Sequence, residues 1–251
     1  MPGLGLSAAI PARSLALLPE HPAQIVELPA YGLRAPRSCP LDPEALAVTL
    51  LQRTPERASV LLGHSASAQI VAAAAARAPH RVAALVLVGP TTDPRAASWP
   101  ALAARWLRTA RHERVDQLPL LLHDYTRTGL PSMARGMDAA RRHSIADALA
   151  AVTAPVLVLR GRHDEICPPD WAADLAAGTP HGRAESLHVG AHMVPWTHPV
   201  ELAAEVRGIS RHSHRRSRMT DACEQQRAST VHAGAAGRVP TRSAKTTMLS
   251  S

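Results

Sequence analysis

Four short runs in the chain, residues 24–28, 59–62, 82–88 and 155–159, are rich in Leu and β-branched residues and are apolar on both alternations. A strand with one wet face alternates apolar and polar side chains, so a run apolar on both faces calls for a sheet covered on both sides. Residues 186–189 form a weaker fifth run. Between these runs lie segments of helix formers, at 43–52, 66–78, 171–177 and 200–206. Strand and helix in alternation predict an α/β fold, with a doubly wound and mostly parallel sheet.

One stretch breaks the rhythm. Residues 91–149 are too long for a single crossover helix and carry Pro, Trp and Arg-rich helical patterns, which predicts an inserted helical cap. The core is then expected in two pieces, 1–90 and 150–209. From 210 to 251 the chain is polar and rich in small residues, without period, and it is expected to be a disordered basic tail. The net charge of +8 belongs largely to that tail. From Arg211 onward seven arginines and Lys245 face only Asp221 and Glu224, a net of +6, which leaves the body close to neutral. With no aromatic platform in the body, the basicity does not argue for nucleic acid as a partner.

The three cysteines, Cys39, Cys167 and Cys223, have neither a disulfide-framework pattern nor a metal-ligand spacing. No apolar stretch has the length of a membrane span, and the start lacks the basic region of a secretory signal. The expectation is a cytoplasmic protein with a small-molecule substrate, no membrane partner and no cofactor. The oligomeric state is not legible.

The chemistry-bearing residues fall after the apolar runs. Ser65 sits in Gly-His-Ser-Ala-Ser, between the 59–62 run and an Ala-rich helical segment. A sharp strand-to-helix turn of this kind presents a serine hydroxyl at the carboxyl edge of a parallel sheet and demands small neighbours. The N–H after the serine, at Ala66, is placed to donate to an oxyanion. A serine nucleophile needs a base and a group to orient that base. Asp164 follows the 155–159 run, with Glu165 and Asp93 as rival acids. His192 follows a Gly turn after the weak fifth run and is chosen as base over His188, His198 and His64. His188 is expected inside a strand, His198 at the start of the last helix, and His64 turned away from the serine. Cys167 is read as a small apolar filler.

These motifs, GHSAS around Ser65, GRHDEICPP around Asp164, GAHMVPW around His192 and PGLGLS at residues 2–7, resemble the α/β-hydrolase superfamily, in particular its small cap-bearing bacterial esterases. The resemblance covers roughly residues 2–206. It implies a Ser65–Asp164–His192 triad and a second oxyanion donor in the loop at Gly3-Leu4, the Leu4 N–H. It also implies cleavage of a small apolar ester or thioester through an acyl-enzyme, with Trp99, Trp106, Leu120–Leu122, Tyr125 and Met133 lining an acyl pocket. The same triad in the family also cleaves C–C bonds and lactones.

Two positions depart from the pattern. Ser67 stands where the family usually has glycine. In the family three strands precede the loop at Gly3, and the third lies inside the sheet, so here the sheet is expected to be N-terminally truncated. Residues 24–28 and 59–62 should then either close up directly or face a gap of one strand. A truncated, inactive hydrolase-like protein is the competing expectation, and an earlier start codon is the expected remedy.

Overall fold

The computed structural model describes residues 1–213. After the loop at 2–7 the chain forms α1 (Ala9–Leu15), two two-residue strands, β1 (Leu28–Pro29) and β2 (Gly32–Leu33), and α2 (Pro43–Arg53). A β–α–β unit follows, with β3 (Ser59–His64), α3 (Ser67–Arg77) and β4 (Val82–Val88). The chain then runs through α4 (Trp99–Ala110), α5 (Leu118–Thr128), α6 (Leu130–Arg142) and α7 (Ile145–Ala150). It returns as β5 (Val156–Arg160), α8 (Pro169–Ala177) and β6 (Gly182–Ser186), followed by α9 (Val194–Thr197) and a helix over residues 199–213, here α10.

The central sheet has the order β3-β4-β5-β6, and every pairing is parallel. Its two faces are filled by the two alternations of the same strands. Leu85, Leu87, Val156 and Val158 pack with α2, α3 and α8, while Ala84, Val86, Val88, Leu157 and Leu159 pack with Val194 and the α10 residues Leu202, Ala203 and Val206. The doubly apolar runs are therefore the interior layer of a three-layer α/β/α arrangement. Register pairs His64 with Val88 and Val88 with Leu159, so three strands end level with one another. Ser65, Gly89 and the 161–167 turn consequently share one edge of the sheet.

Local chemistry explains the helix boundaries. Asp42 caps α2 by accepting from the Ala45 N–H at 2.9 Å, and Pro43 occupies the first turn, where its missing N–H costs nothing. Ser98 and Ser144 cap α4 and α7 in the same manner. The alanines of α3 let that helix approach the sheet closely, and Ala72 and Ala74 are fully buried.

Three expectations are corrected. Residues 24–27 form no strand, and only Leu28–Pro29 pairs, with Gly32–Leu33. Val26 and Leu28 bury themselves against α2 instead, in the cluster that includes Leu46 and Leu50. β3 is thus an edge strand, its first four residues half-buried, and the nitrogen of Met1 donates to the Leu62 carbonyl at 2.6 Å beside it. The last strand lies at Gly182–Ser186 rather than 186–189. Its side chains are mostly exposed, as befits the other edge, so no apolar run marks it. Residues 210–213, assigned from sequence to the tail, continue α10, with Ser210 and Ser213 buried. The rest of the expected tail, 214–251, lies outside the described residues.

Candidate active site

Ser65 follows β3 directly and holds a φ of +57°, a left-handed conformation that costs a non-glycine residue energy. Hydrogen bonds hold it there. Its N–H donates to the Val88 carbonyl at 2.8 Å, and its own carbonyl accepts from the Ala68 N–H at 3.0 Å. The flanking residues are small because space is short. A Cβ added to Gly63 would come within 2.6 Å of Val71 Cγ2 and 2.8 Å of the Ala68 Cα. Ser67 does what glycine could not, because its hydroxyl accepts from the His64 N–H and donates to the His64 carbonyl, both at 2.9 Å.

Asp164 is buried in the turn after β5. One carboxylate oxygen accepts from the Ile166 and Cys167 N–H groups at 3.0 and 3.1 Å, and the other faces His192 Nδ1 at 2.9 Å. Burial opposes its charge, yet His192 and these N–H donors hold the carboxyl below its usual range. Burial likewise opposes a charged His192. The Asp164 carboxylate, with a smaller contribution from Glu113, overcomes that and raises the imidazole. An anionic partner at Nδ1 fixes the proton there and leaves Nε2 as the basic nitrogen. The turns that carry Asp164 and His192 are stitched together, since the Arg162 and His163 N–H groups donate to the Val189 and Gly190 carbonyls. Arg160 ties the acid turn from behind, with its guanidinium on the Asp164 and Cys167 carbonyls.

Ser65 and His192 line the same cavity of about 460 Å³, together with Leu4, Leu6, Ile166 and Met193 from the core. Trp99, Trp106, Leu121, Tyr125, Met133 and Met137 line it from the segment between β4 and β5. Leu120 instead packs with Leu6 and Ile10, and Leu122 is exposed. Among the described residues, the Leu4 and Ala66 N–H groups have no protein acceptor.

The rivals fall away from this constellation. Asp93 is bound by Arg95 and Arg105, and Glu165 is exposed. His188 is exposed in a loop after β6, not inside a strand, while His198 precedes α10. Cys167 is buried, and its thiol is pushed well up by that burial. The destination of His64 was not legible in sequence. The residue is fully buried with its Nε2 2.9 Å from the His192 carbonyl oxygen, so the neutral ring carries its proton on Nε2. Burial pushes its pKa down to about 3.

A parallel sheet with helices on both faces, a strained serine elbow after β3 and helices α4–α7 beside a cavity at the sheet edge make an α/β-hydrolase fold, and the chain is similar to members of the α/β-hydrolase superfamily. The family model of serine aminopeptidases, S33, matches residues 41–135. The chain is 24% identical to the pimeloyl-[acyl-carrier protein] methyl ester esterase of Vibrio parahaemolyticus over 237 residues, 83% of this chain and 91% of that protein. Among solved structures it resembles a hydrolase from Oleispira antarctica (TM-score 0.68, 14% identity, covering 83% of this chain and 88% of the other). It also resembles the proline iminopeptidase of Mycobacterium smegmatis (TM-score 0.63, 18% identity, covering 84% and 88%). No helix among the described residues is long and apolar enough to cross a membrane.

Proposed function

We propose that the protein is a serine hydrolase that cleaves a small ester or thioester with an apolar acyl group, using Ser65 as nucleophile, His192 as base and Asp164 as the group that orients the base. The observation that carries this reading is the shared cavity: a strained serine and a histidine already paired to a buried carboxylate open into one apolar chamber. Ser65 Oγ attacks the carbonyl carbon while its proton passes to His192 Nε2. The oxyanion takes hydrogen bonds from the Leu4 and Ala66 N–H groups. The tetrahedral intermediate collapses, and the leaving alkoxide or thiolate takes the proton from the imidazolium. Water then repeats the sequence on the acyl-serine, releases the acid and restores the enzyme.

The carboxylates around the cavity favour an ester over an amino-terminal peptide. A substrate ammonium needs an anionic partner with an oxygen turned to it, and the oxygens of both lining carboxylates already accept hydrogen bonds from the protein. Asp93 is held by two arginines, and Glu113 by three N–H donors. An acyl ester is also what the Vibrio relative is named for. The free thiols of Cys39 and Cys167 support a cytoplasmic setting.

Labelling with a fluorophosphonate probe and hydrolysis of p-nitrophenyl butyrate test the reading. Wild type should label and turn over, and Ser65→Ala should do neither. Folded protein without Ser65-dependent labelling would carry the competing reading, an inactive hydrolase-like protein, which draws on the open edge of β3.

A further inference from the structure

Glu113 is a cavity-lining carboxylate that this mechanism leaves unused. It follows α4 in the turn at 111–113 and belongs to the cap side of the chamber. Its Oε1 accepts from two successive backbone donors, the His192 N–H at 2.7 Å and the Met193 N–H at 2.9 Å. Its Oε2 accepts from Gln117 Nε2 at 3.0 Å, and Gln117 is itself buried.

The same turn touches the acid loop as well. Thr109, buried at the end of α4, accepts from the Glu165 N–H at 3.0 Å through its hydroxyl. Next to it His112 stacks on His163, with ring centroids 4.3 Å apart and planes 12° from parallel. Residues 109–113 therefore meet both loops that carry His192 and Asp164. A carboxylate on two consecutive amides fixes a backbone in position and orientation, because charge-assisted bonds are roughly twice as strong as neutral ones.

We propose that Glu113 is a positioning residue for His192, clamping the base loop to the cap through the His192 and Met193 amides. The inference rests on the triad reading given above. Glu113 makes no hydrogen bond to the imidazole ring, so it is not a second orienting acid, and both of its oxygens already accept from the protein. Its charge nevertheless acts on the ring. The groups that face His192 are the Asp164 carboxylate at Nδ1, the neutral His64 ring with its centroid 5.0 Å away, and Glu113. Tyr125, near Glu113, stays a neutral phenol, its pKa raised by burial. With Glu113 neutralised, one of the two anions that raise His192 is lost, so the imidazole titrates at lower pH.

The test compares Glu113→Gln, Glu113→Ala and His192→Ala in the full chain, with p-nitrophenyl butyrate as substrate across pH. Glu113→Gln keeps the volume and one acceptor oxygen, so kcat should stay within several-fold of wild type while the acidic limb of kcat/KM moves to lower pH. Glu113→Ala should lower kcat by about 10- to 100-fold with KM little changed, because a slackened base loses its aim rather than its substrate. A residue with only a structural role would lower the melting temperature without moving the acidic limb or separating kcat from KM. Unchanged kcat and an unmoved limb in both Glu113 variants, with His192→Ala inactive, overturn the proposal alone. Undiminished turnover in His192→Ala overturns the triad reading beneath it.

Discussion

Gly89 lies directly beneath the Asp164–His192 pair, and its side-chain position is already taken. A Cβ there would stand 2.7 Å from Asp164 Oδ2 and 2.9 Å from His192 Nδ1, at a φ of +54° that an L side chain rarely adopts. Gly89→Ala should therefore wedge the pair apart and cut kcat by about 100-fold or more, with the acidic limb displaced, as steady-state kinetics will show. Asp164→Asn makes a sharper separation of charge from shape. It removes the main group that raises His192, so the acidic limb of kcat/KM should move to lower pH while kcat falls by about 10³- to 10⁴-fold through loss of the correct tautomer. The stability consequence follows from the same shifts. The raised His192 contributes stability below its unfolded pKa and loses it as pH rises through the folded value. The lowered Asp164 contributes above its unfolded pKa and loses it as pH falls through the folded value. The pair therefore supports the fold most in the window between a carboxylate and an imidazole, and the loss of melting temperature in Asp164→Asn should be largest inside it. Ser65 and Asp164 were legible in sequence because each follows an apolar run that is a buried strand, and strands that end level put such residues on one edge, whereas His192 was marked by the Gly turn before it, the run at 186–189 being no strand. Glu113 and the destination of His64 were not legible, since both act through backbone groups of a residue far away in the chain, and such contacts leave no local pattern.

The elbow shows how an element tolerates an unusual residue. Sequence marked Ser67 as a departure from glycine, and the structure supplies the reason it fits, a hydroxyl that closes the turn on both the N–H and the carbonyl of His64. Ser67→Ala should then cost about 1–3 kcal/mol in chemical denaturation, because the buried His64 N–H loses its acceptor. Gly63→Ala should cost about 1–3 kcal/mol for a different reason, the overpacking of β3 against Val71 and Ala68 of α3. The interior strands were readable because their burial on both faces writes itself into composition. The two misplaced strands were edge or non-sheet segments. Residues 24–28 carry an apolar signal that reports burial against α2, and Gly182–Ser186 carries almost none because its side chains meet solvent. Apolar runs report burial, and pairing is inferred from them only where a sheet is what does the burying.

Across the described molecule, the segment between β4 and β5 is fastened to the loops that carry Leu4, Asp164 and His192. Asp124 of α5 accepts from the Ser7 N–H at 2.8 Å, and Thr128 donates to the Gly5 carbonyl at 3.2 Å, which fixes the loop that carries Leu4. Gln69 of α3, also buried, donates to the Ala140 carbonyl of α6 at 3.0 Å. Arg135 reaches the Cys39 and Pro36 carbonyls at 2.6 and 2.9 Å. Thr109 and Glu113 add the ties to the loops that carry Asp164 and His192. Melting this segment alone would strand several buried polar groups, each at a cost of about 1–3 kcal/mol. That sum is comparable to the roughly 5–15 kcal/mol that stabilises an ordinary domain, so separate melting of the cap has no favourable window. The α4–α7 segment and the sheet should therefore unfold in one transition. Four tryptophans allow a direct measurement, because Trp99 and Trp106 lie on α4 while Trp171 and Trp196 lie on α8 and α9. In a variant carrying Trp171→Phe and Trp196→Phe, the fluorescence midpoint in urea reports the cap and the far-ultraviolet circular dichroism midpoint reports the whole fold. The two midpoints should coincide, and an earlier fluorescence transition would show that the ties to the loops of Leu4, Asp164 and His192 are too weak to make this segment part of the cooperative unit.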